Sequence, residues 1–527
     1  MQLIRAWILM ETLADRVILL SGLKRWLLTI TSGAALALTL APFDFPAVGF
    51  VSFALLVWVL DGIAAEKSRL PALSAFFATG FWFSFGYSLA STWWLAIGML
   101  QGGPDLAWAF PLALLLYPAI CGVFYGLGAA FAGIIWTEGV GRLAALAFSL
   151  AAADWLRSAL LPGFAFNPLA MTAMPAPVLM QSASLIGMAG MAALAVFVFS
   201  APATLGHGKH ATSSIGLAIA LLAAHLGFGI FALDQAHPDD PATAARIVQT
   251  ASSIDKIINN ADYNLNVLIS AQRQFKSTSD KSTVILWPGI SLPTVLTQNP
   301  AILEKIASSV NNREVLVTGT FRTEEGDTPR LYKSVAVVNH NGEIVGASDK
   351  KTLLPIIERN FFSAWLQKKD EPNEADNRPS FTAGGPRQTL PLSTNVKALS
   401  LFDTEILLFR RVLEQVKDAD VILHLSNPAG RSTKLGTYQE LRYAQATAAL
   451  TGTPILRASN SGLSAAIDGN GRILESIAIG TTGVIDLPAL PKRAKRILIG
   501  QNEVREAIFL AFLGVFALVA WIVGRTN

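Results

Sequence analysis

Two things are scarce in this sequence, cysteine and charge. The single cysteine, Cys121, has no second thiol to meet in 527 residues, so an intrachain disulfide framework is excluded. Cys121 falls inside the apolar run Pro111–Ala132, where a lone thiol behaves as a small buried hydrophobe and not as a nucleophile. Charged residues make up only 15% of the chain, against about 25% in soluble globular proteins. Hydrophobic residues reach 52% and mean hydropathy is +0.45. A large part of the chain is therefore expected to be solvated by lipid. The net charge of +4 is a small surplus, which reads as loop charge at a membrane surface and excludes a nucleic-acid surface. Six scattered histidines give no metal-ligand spacing, and no phosphate loop or dinucleotide fingerprint is present. No metal or cofactor is expected.

Apolar runs dominate the first part. Crossing a bilayer takes about 20 apolar residues. Candidate spans lie at Leu27–Ala41, Ala47–Ile63, Leu73–Leu100, Ala107–Trp136, Leu143–Leu160, Ala183–Leu205 and Ile215–Leu233, with a last one at Glu503–Val523. From about Asp234 to Ile499 the character changes to charge, turn residues and short apolar runs. Strands are predicted at Ala245–Gln249, Thr283–Trp287, Val315–Gly319, Ser334–Asn339, Ala398–Phe402, Val421–Leu425, Pro454–Ala458 and Ala465–Asp468, and helices at Ala301–Asn311 and Tyr438–Thr451. Strands interleaved with helices define a layered α/β domain. The expected division is 1–233 as a membrane bundle, 234–499 as the α/β domain and 500–527 as a closing membrane helix.

Orientation follows from Lys and Arg in the short loops. Arg5, Arg16, Lys24, Arg25, Lys67, Arg69, Arg142, Lys209 and Arg525 fall on one side of eight spans, and the loops Pro42–Pro46 and Gln101–Asp105 on the other side carry neither residue. Both termini are thus expected in the cytoplasm and the α/β domain outside it. The basic N-terminus plus first run also fits a signal peptide, although the run leads into Ala41-Pro42-Phe43-Asp44 with no small-residue cleavage site. Lys492, Arg493, Lys495 and Arg496 oppose the charge trend and suit anionic headgroups. Trp93, Trp94, Trp108, Trp136 and Trp155 lie near span ends, as an interfacial aromatic belt requires. Asp154 and Arg157, three apart, are placed to pair on one helix face.

Several stretches together resemble the bacterial apolipoprotein N-acyltransferases, membrane-anchored members of the nitrilase (carbon–nitrogen hydrolase) superfamily. These are Leu38-Thr39-Leu40-Ala41-Pro42-Phe43-Asp44, the Trp93-Trp94 pair, and Asp154-Trp155-Leu156-Arg157, where the family usually has Glu-Trp-Leu-Arg. In the α/β segment, Leu286-Trp287-Pro288-Gly289 resembles the family's Trp-Pro-Glu strand end. Lys350 to Pro355, with Glu358 beyond, resembles its lysine loop, and Leu401-Phe402-Asp403-Thr404-Glu405 its Ile-Cys-Tyr-Glu elbow. Arg457-Ala458-Ser459-Asn460 resembles its late strand. The resemblance implies a helical membrane bundle of about eight transmembrane helices joined to a nitrilase-like α-β-β-α sandwich.

The resemblance also implies the chemistry. A cysteine thiolate takes an acyl chain from a phospholipid, then passes it to the N-terminal amine of a lipid-modified protein. That needs a nucleophile, a base and a cation for the oxyanion, which the family supplies as Cys, Glu and Lys. Here Gly289 stands at the Glu position and Asp403 at the Cys position, and only the lysine is kept, as Lys350. Glu358 and Glu405 are the neighbouring acids. Lys350 is expected to pair with Asp403 or Glu405. The loop Ser426-Asn427-Pro428-Ala429-Gly430 lacks the acid and aromatics that the family carries there. Ser400, Thr404 and Ser426 supply hydroxyls near the elbow, and His424, two residues from Ser426 on one strand face, is the one base available to a replacement Ser/His catalyst. The expectation is a divergent family member without thioester chemistry, which binds phospholipid, a lipoprotein N-terminus or another envelope protein in the bacterial inner membrane, with its nitrilase-like domain facing the periplasm. The alternative is an acyltransferase with an altered site.

Overall fold

The computed structural model describes residues 2–526 apart from 67–68, 102–109, 162–164, 207–210, 236–238, 241, 253–256, 258–259, 275–280, 327–328, 354–380, 428–433 and 497–501. Two compact units divide the chain. One comprises residues 1–100, 104–235 and 497–527, the other 101–103 and 236–496.

The first unit is helical. Its helices are α1 (Gln2–Ile18), α2 (Gly22–Leu36), α3 (Ala47–Glu66), α4 (Arg69–Gln101), α5 (Phe110–Ile134), α6 (Val140–Leu160), α7 (Ala183–Ser200) and α8 (Ala211–Asp234), closed by the C-terminal α-helix Asn502–Thr526. Among the described residues, six helices are long and apolar enough to cross a membrane: α3, α5, α6, α7 with its extension to Leu205, α8 and the C-terminal helix. The expected first span is shifted. α2 ends at Leu36 and a 3-10 turn, Ala37–Thr39, follows it. α1 was not anticipated, because a search for unbroken apolar runs passes over an amphipathic helix whose exposed Glu11, Asp15 and Arg16 break the run in sequence.

Without a hydrophobic drive between helices in lipid, close backbone approach decides packing. A Cβ at Gly33 would meet the Phe83 carbonyl oxygen, and one at Gly86 would lie 2.1 Å from that of Ile30, so α2 and α4 pack backbone to backbone. Two pairs of opposite charges meet inside the bundle, as their solvation cost favours. Arg157 reaches Asp154 at 2.7 Å, the pair expected from the spacing, and also donates to Tyr117 Oη at 2.8 Å, the Phe166 carbonyl at 3.1 Å and Cys121 Sγ at 3.4 Å. Asp154 accepts the Leu169 amide at 2.9 Å. Asp61 takes Arg142 at 2.7 Å and the Trp136 indole at 3.0 Å. Trp94 is buried and donates to the Ser91 carbonyl, so two of the expected belt tryptophans serve the interior instead; Trp108 lies outside the described residues.

The second unit is a two-sheet sandwich with helices. Its strands are β1 (Asp239–Asp240), β2 (Thr243–Gln249), β3 (Ser282–Leu286), β4 (Glu314–Glu324), β5 (Arg330–Val338), β6 (Ile344–Asp349), β7 (Leu390–Pro391), β8 (Lys397–Phe402), β9 (Val421–Ser426), β10 (Ile455–Ser459), β11 (Ser464–Ile467), β12 (Ile473–Ile477), β13 (Gly483–Leu487) and β14 (Leu490–Pro491). One sheet runs β13-β2-β3-β4-β5-β6, the other β12-β11-β10-β9-β8-β7. Each has a parallel trio, β2-β3-β4 or β8-β9-β10, with antiparallel neighbours on both sides. Ile247, Leu286, Val317 and Val335 from one sheet and Phe402, Leu423, Leu456 and Ala466 from the other share one core. A second cluster, with Trp287, Ile285 and Leu316, packs under α9 (Ala261–Gln274) and α10 (Pro300–Ala307).

The eight predicted strands all appear, with ends displaced by a few residues. β6, β12, β13 and the two-residue β1, β7 and β14 were missed; β12 is exposed along most of its length and shows no apolar alternation. α10 stops before the predicted Asn311, where the Ser308 and Ser309 hydroxyls bond back to Lys305 and Ile306 carbonyls. Arg493 and Arg496 are turned onto the carbonyls of Lys417 and Gly469, so half of the basic cluster expected to meet headgroups caps turns within the domain.

Candidate active site

In a parallel sheet, functional groups collect at the carboxyl ends of strands. Gly289 follows β3, Lys350 follows β6, Asp403 follows β8 and Asn427 follows β9. The residues picked from the sequence therefore come to one place, apart from Glu358, which lies outside the described residues.

Asp403 opens a 3-10 turn with φ +42°. Such left-handed backbone is uncommon for a residue with a side chain, although Asp tolerates it better than most, and it is the sharp strand-to-helix bend that exposes a nucleophile in other enzymes. Here it exposes a carboxylate. Asp403 Oδ1 accepts the Asn427 backbone amide at 2.9 Å, and Oδ2 lies 3.7 Å from Lys350 Nζ. Lys350 is buried, whereas Asp403 keeps 21% side-chain exposure. Of the two acids expected to meet Lys350, Asp403 lies within ion-pair distance.

Glu405 is consumed by structure. Its Oε1 accepts the Lys351 amide at 3.2 Å, the Thr352 amide at 2.8 Å and Arg387 Nη2 at 2.5 Å, while Oε2 accepts the Phe402 amide at 3.0 Å. It is 3% exposed. With its lone pairs occupied and no route to solvent, it fastens the lysine loop to the elbow and has no free oxygen to act as a base. Arg387, which also donates to the Ser400 carbonyl, was not anticipated; no sequence signal points to it.

The place where a catalytic base would stand is filled. A Cβ built on Gly289 would lie 2.5 Å from Asn427 Cβ, 2.9 Å from its amide nitrogen and 2.9 Å from the Ser426 carbonyl carbon. The chain after β9 thus occupies the direction in which residue 289 would project. Gly289 itself approaches β4 so closely that a Cβ at Gly319 would meet its carbonyl oxygen.

Below the elbow lies a buried polar chain. His424 Nε2 faces the Asp403 carbonyl at 2.8 Å, and Arg457 Nη1 faces His424 Nδ1 at 2.7 Å. Arginine can only donate, so Nδ1 is the acceptor and Nε2–H the donor to Asp403. Arg457 Nη2 pairs with Glu440 at 2.8 Å, which also accepts the Ser426 hydroxyl at 3.2 Å. Burial, then Arg457 and Lys350, pushes the His424 pKa well below its usual value; burial raises that of Glu440 against the pull of Arg457. His424 and Ser426 do share a strand face, yet among the described residues no hydrogen bond joins them, and both are buried. The Ser/His catalyst considered from the sequence is corrected on that ground: the imidazole's one acceptor nitrogen is taken by Arg457. Cys121 is buried in α5 of the helical unit. Among the described residues no group of three His, Cys, Asp or Glu side chains is placed to hold a metal ion.

Two six-stranded sheets face to face, with a lysine and a strained elbow at their strand ends, define the carbon–nitrogen hydrolase class, and residues 239–487 match the Carbon-nitrogen hydrolase family. Residues 32–201 match the Apolipoprotein N-acyltransferase N-terminal domain. The chain is 38% identical over 525 residues to the apolipoprotein N-acyltransferase of Rhizobium rhizogenes, covering 97% of this chain and 98% of that one. It is likewise 38% identical over 488 residues to the namesake from Brucella melitensis, covering 90% and 91%. This chain belongs to the apolipoprotein N-acyltransferase family. Among solved structures, an amidase from Nesterenkonia sp. is 15% identical, with a TM-score of 0.34, and spans 49% of this chain and 94% of its own.

Proposed function

We propose that this chain is a member of its family that does not form a thioester, and that it binds phospholipid or the lipid-modified end of another envelope protein in the bacterial inner membrane. One observation carries the reading: Asn427 fills the space of a base at position 289 and at the same time bonds the carboxylate that replaces the thiol. Acyl transfer through a thioester needs sulfur and a proton acceptor opposite it. Asp403 supplies no sulfur, Gly289 supplies no acceptor opposite it, and an acyl-aspartate anhydride would hydrolyse. What remains, the Lys350–Asp403 pair on an intact two-sheet scaffold, suits binding without turnover.

The distribution of loop Lys and Arg supports a periplasmic sheet domain, and the division between compact units near residues 235 and 497 supports domain limits at 233/234 and 499/500. The test is direct. Purified protein incubated with acyl-labelled phospholipid is expected to yield no hydroxylamine-labile adduct, and expression is expected not to rescue a strain depleted of its own N-acyltransferase. A labelled adduct that maps to Asp403, or rescue of growth, overturns the proposal in favour of an acyltransferase with an altered site.

A further inference from the structure

α7 is broken. Helical geometry fails at Gly187, with φ 68° and ψ −177°, and a break at membrane depth frees backbone groups that need partners. Two adjacent residues of the C-terminal helix, now α13 counting α11 (Phe409–Gln415) and α12 (Lys434–Thr451), supply them. Glu506 Oε1 accepts the Met188 amide at 2.8 Å, and Arg505 Nη1 donates to the Ser184 carbonyl at 2.7 Å. A Cβ at position 187 would lie 2.7 Å from Glu506 Cγ, so glycine serves both the positive φ and the approach of the acid.

These contacts use one nitrogen of Arg505. Among the described residues its Nε and Nη2 have no hydrogen-bond partner, although the residue is only 5% exposed. Nε and Nη2 form one edge of the guanidinium plane, the edge that receives an oxyanion at two points. In two other arginines of this chain that edge is filled at both points, whereas Arg387 and Arg496 leave only Nε unpartnered among the described residues. Arg246 presents the edge to Asp486 at 2.6 and 2.9 Å, and Arg322 to Asp349 at 3.1 and 2.7 Å. Arg505 presents the same edge, and among the described residues no carboxylate meets it.

Depth identifies the oxyanion. Arg505 is the fourth residue of α13, at the start of the apolar stretch Val504–Gly524, and Ser184 is the second residue of α7. Both sit at the ends of segments long enough to cross the hydrocarbon layer, where headgroups begin. We propose that the Nε/Nη2 edge of Arg505 binds the phosphate of a phospholipid headgroup beside the Gly187 break, at a site distinct from the Asp403–Lys350 elbow. The site does not depend on whether the elbow acylates.

The full chain, purified in a maltoside detergent and phosphate-free buffer, can be titrated with short-chain phosphatidylglycerol, with short-chain diacylglycerol and with inorganic phosphate, and followed by thermal unfolding and native mass spectrometry. Phosphatidylglycerol is expected to raise the unfolding temperature of the unmodified protein and to bind at least about tenfold more weakly to R505Q and R505K, a loss in the range of one charge-assisted contact. Diacylglycerol is expected to do nothing. R505K keeps the charge and can still reach Ser184, so it decides the matter if R505Q does not fold. Equal lipid binding by the unmodified protein and R505K overturns the proposal, as does inorganic phosphate that binds and protects as well as the lipid.

Discussion

Restoring the family's catalytic pair to this chain should fail, and the reason is steric before it is chemical. Asp403→Cys supplies the thiol but removes the acceptor of the Asn427 amide and the carboxylate beside buried Lys350. Losing the partner of a buried donor costs about 1–3 kcal/mol, and the 3.7 Å separation and partial exposure of Asp403 place the ion-pair part at the low end. Adding Gly289→Glu forces a Cβ to 2.5 Å from Asn427 Cβ, and overpacking of this kind costs about 1–3 kcal/mol more. The double variant should therefore unfold at a lower temperature than either single one and still form no acyl-enzyme from labelled phospholipid. Activity is expected only when the loop after Ser426 is exchanged as well, so that Asn427 leaves the space. The assay is a series of four proteins, compared by thermal unfolding in detergent and by acyl-enzyme capture. A G289E/D403C protein that turns over, with an unfolding temperature equal to that of D403C alone, would refute the claim that Asn427 blocks the base.

Arg457→Ala should destabilise the sheet domain by about 3–5 kcal/mol, since it strands the buried Glu440 carboxylate; chemical denaturation measures it, and a change under 1 kcal/mol would contradict the pairing. His424 is held neutral by burial, Arg457 and Lys350, so the unfolded chain binds the extra proton: its contribution is whole above the unfolded value of about 6.5 and is lost as pH falls below it. His424→Asn should flatten the stability profile below pH ~6.5, and an unchanged slope there would place the titration elsewhere. In the helical unit, Arg157→Ala leaves Asp154 buried without its cation and strips the Phe166 carbonyl of a donor; protein yield and unfolding temperature should drop by an amount that corresponds to about 3–5 kcal/mol, whereas Cys121→Ala should stay within about 1 kcal/mol of the parent.

Much of the architecture was legible because its signals are periodic. Long apolar runs marked most of the bundle, and short β-branched runs such as Val421–Leu425 marked the central strands. What escaped has identifiable causes. α1 is amphipathic, so exposed Glu11 and Asp15 break its apolar run in sequence, and β12 is a largely solvated strand with little buried face to pattern. At the site, residue identities at Gly289, Lys350 and Asp403 could be read off strand ends, and the Lys350–Asp403 pairing followed from charge. The role of Glu405 could not, because its four donors come from three separate stretches of chain. Nor could the invasion of the base position by Asn427, since that is a matter of backbone path and not of composition. His424 looked like a spare base in one dimension; Arg457, 33 residues later, had already claimed its acceptor nitrogen.

The left-handed turn at Asp403 carries a further implication. A residue kept in that region costs about 1–3 kcal/mol, which an enzyme recovers through a well-aimed nucleophile. With no sulfur to aim, the bend persists because both ends of the residue are tied: the carbonyl to the imidazole below and the side chain to the amide of the neighbouring loop. The kink has become a latch joining two strand ends. Glycine at 403 would relieve the torsion yet open that latch, so relaxing the backbone here should loosen the domain instead of strengthening it.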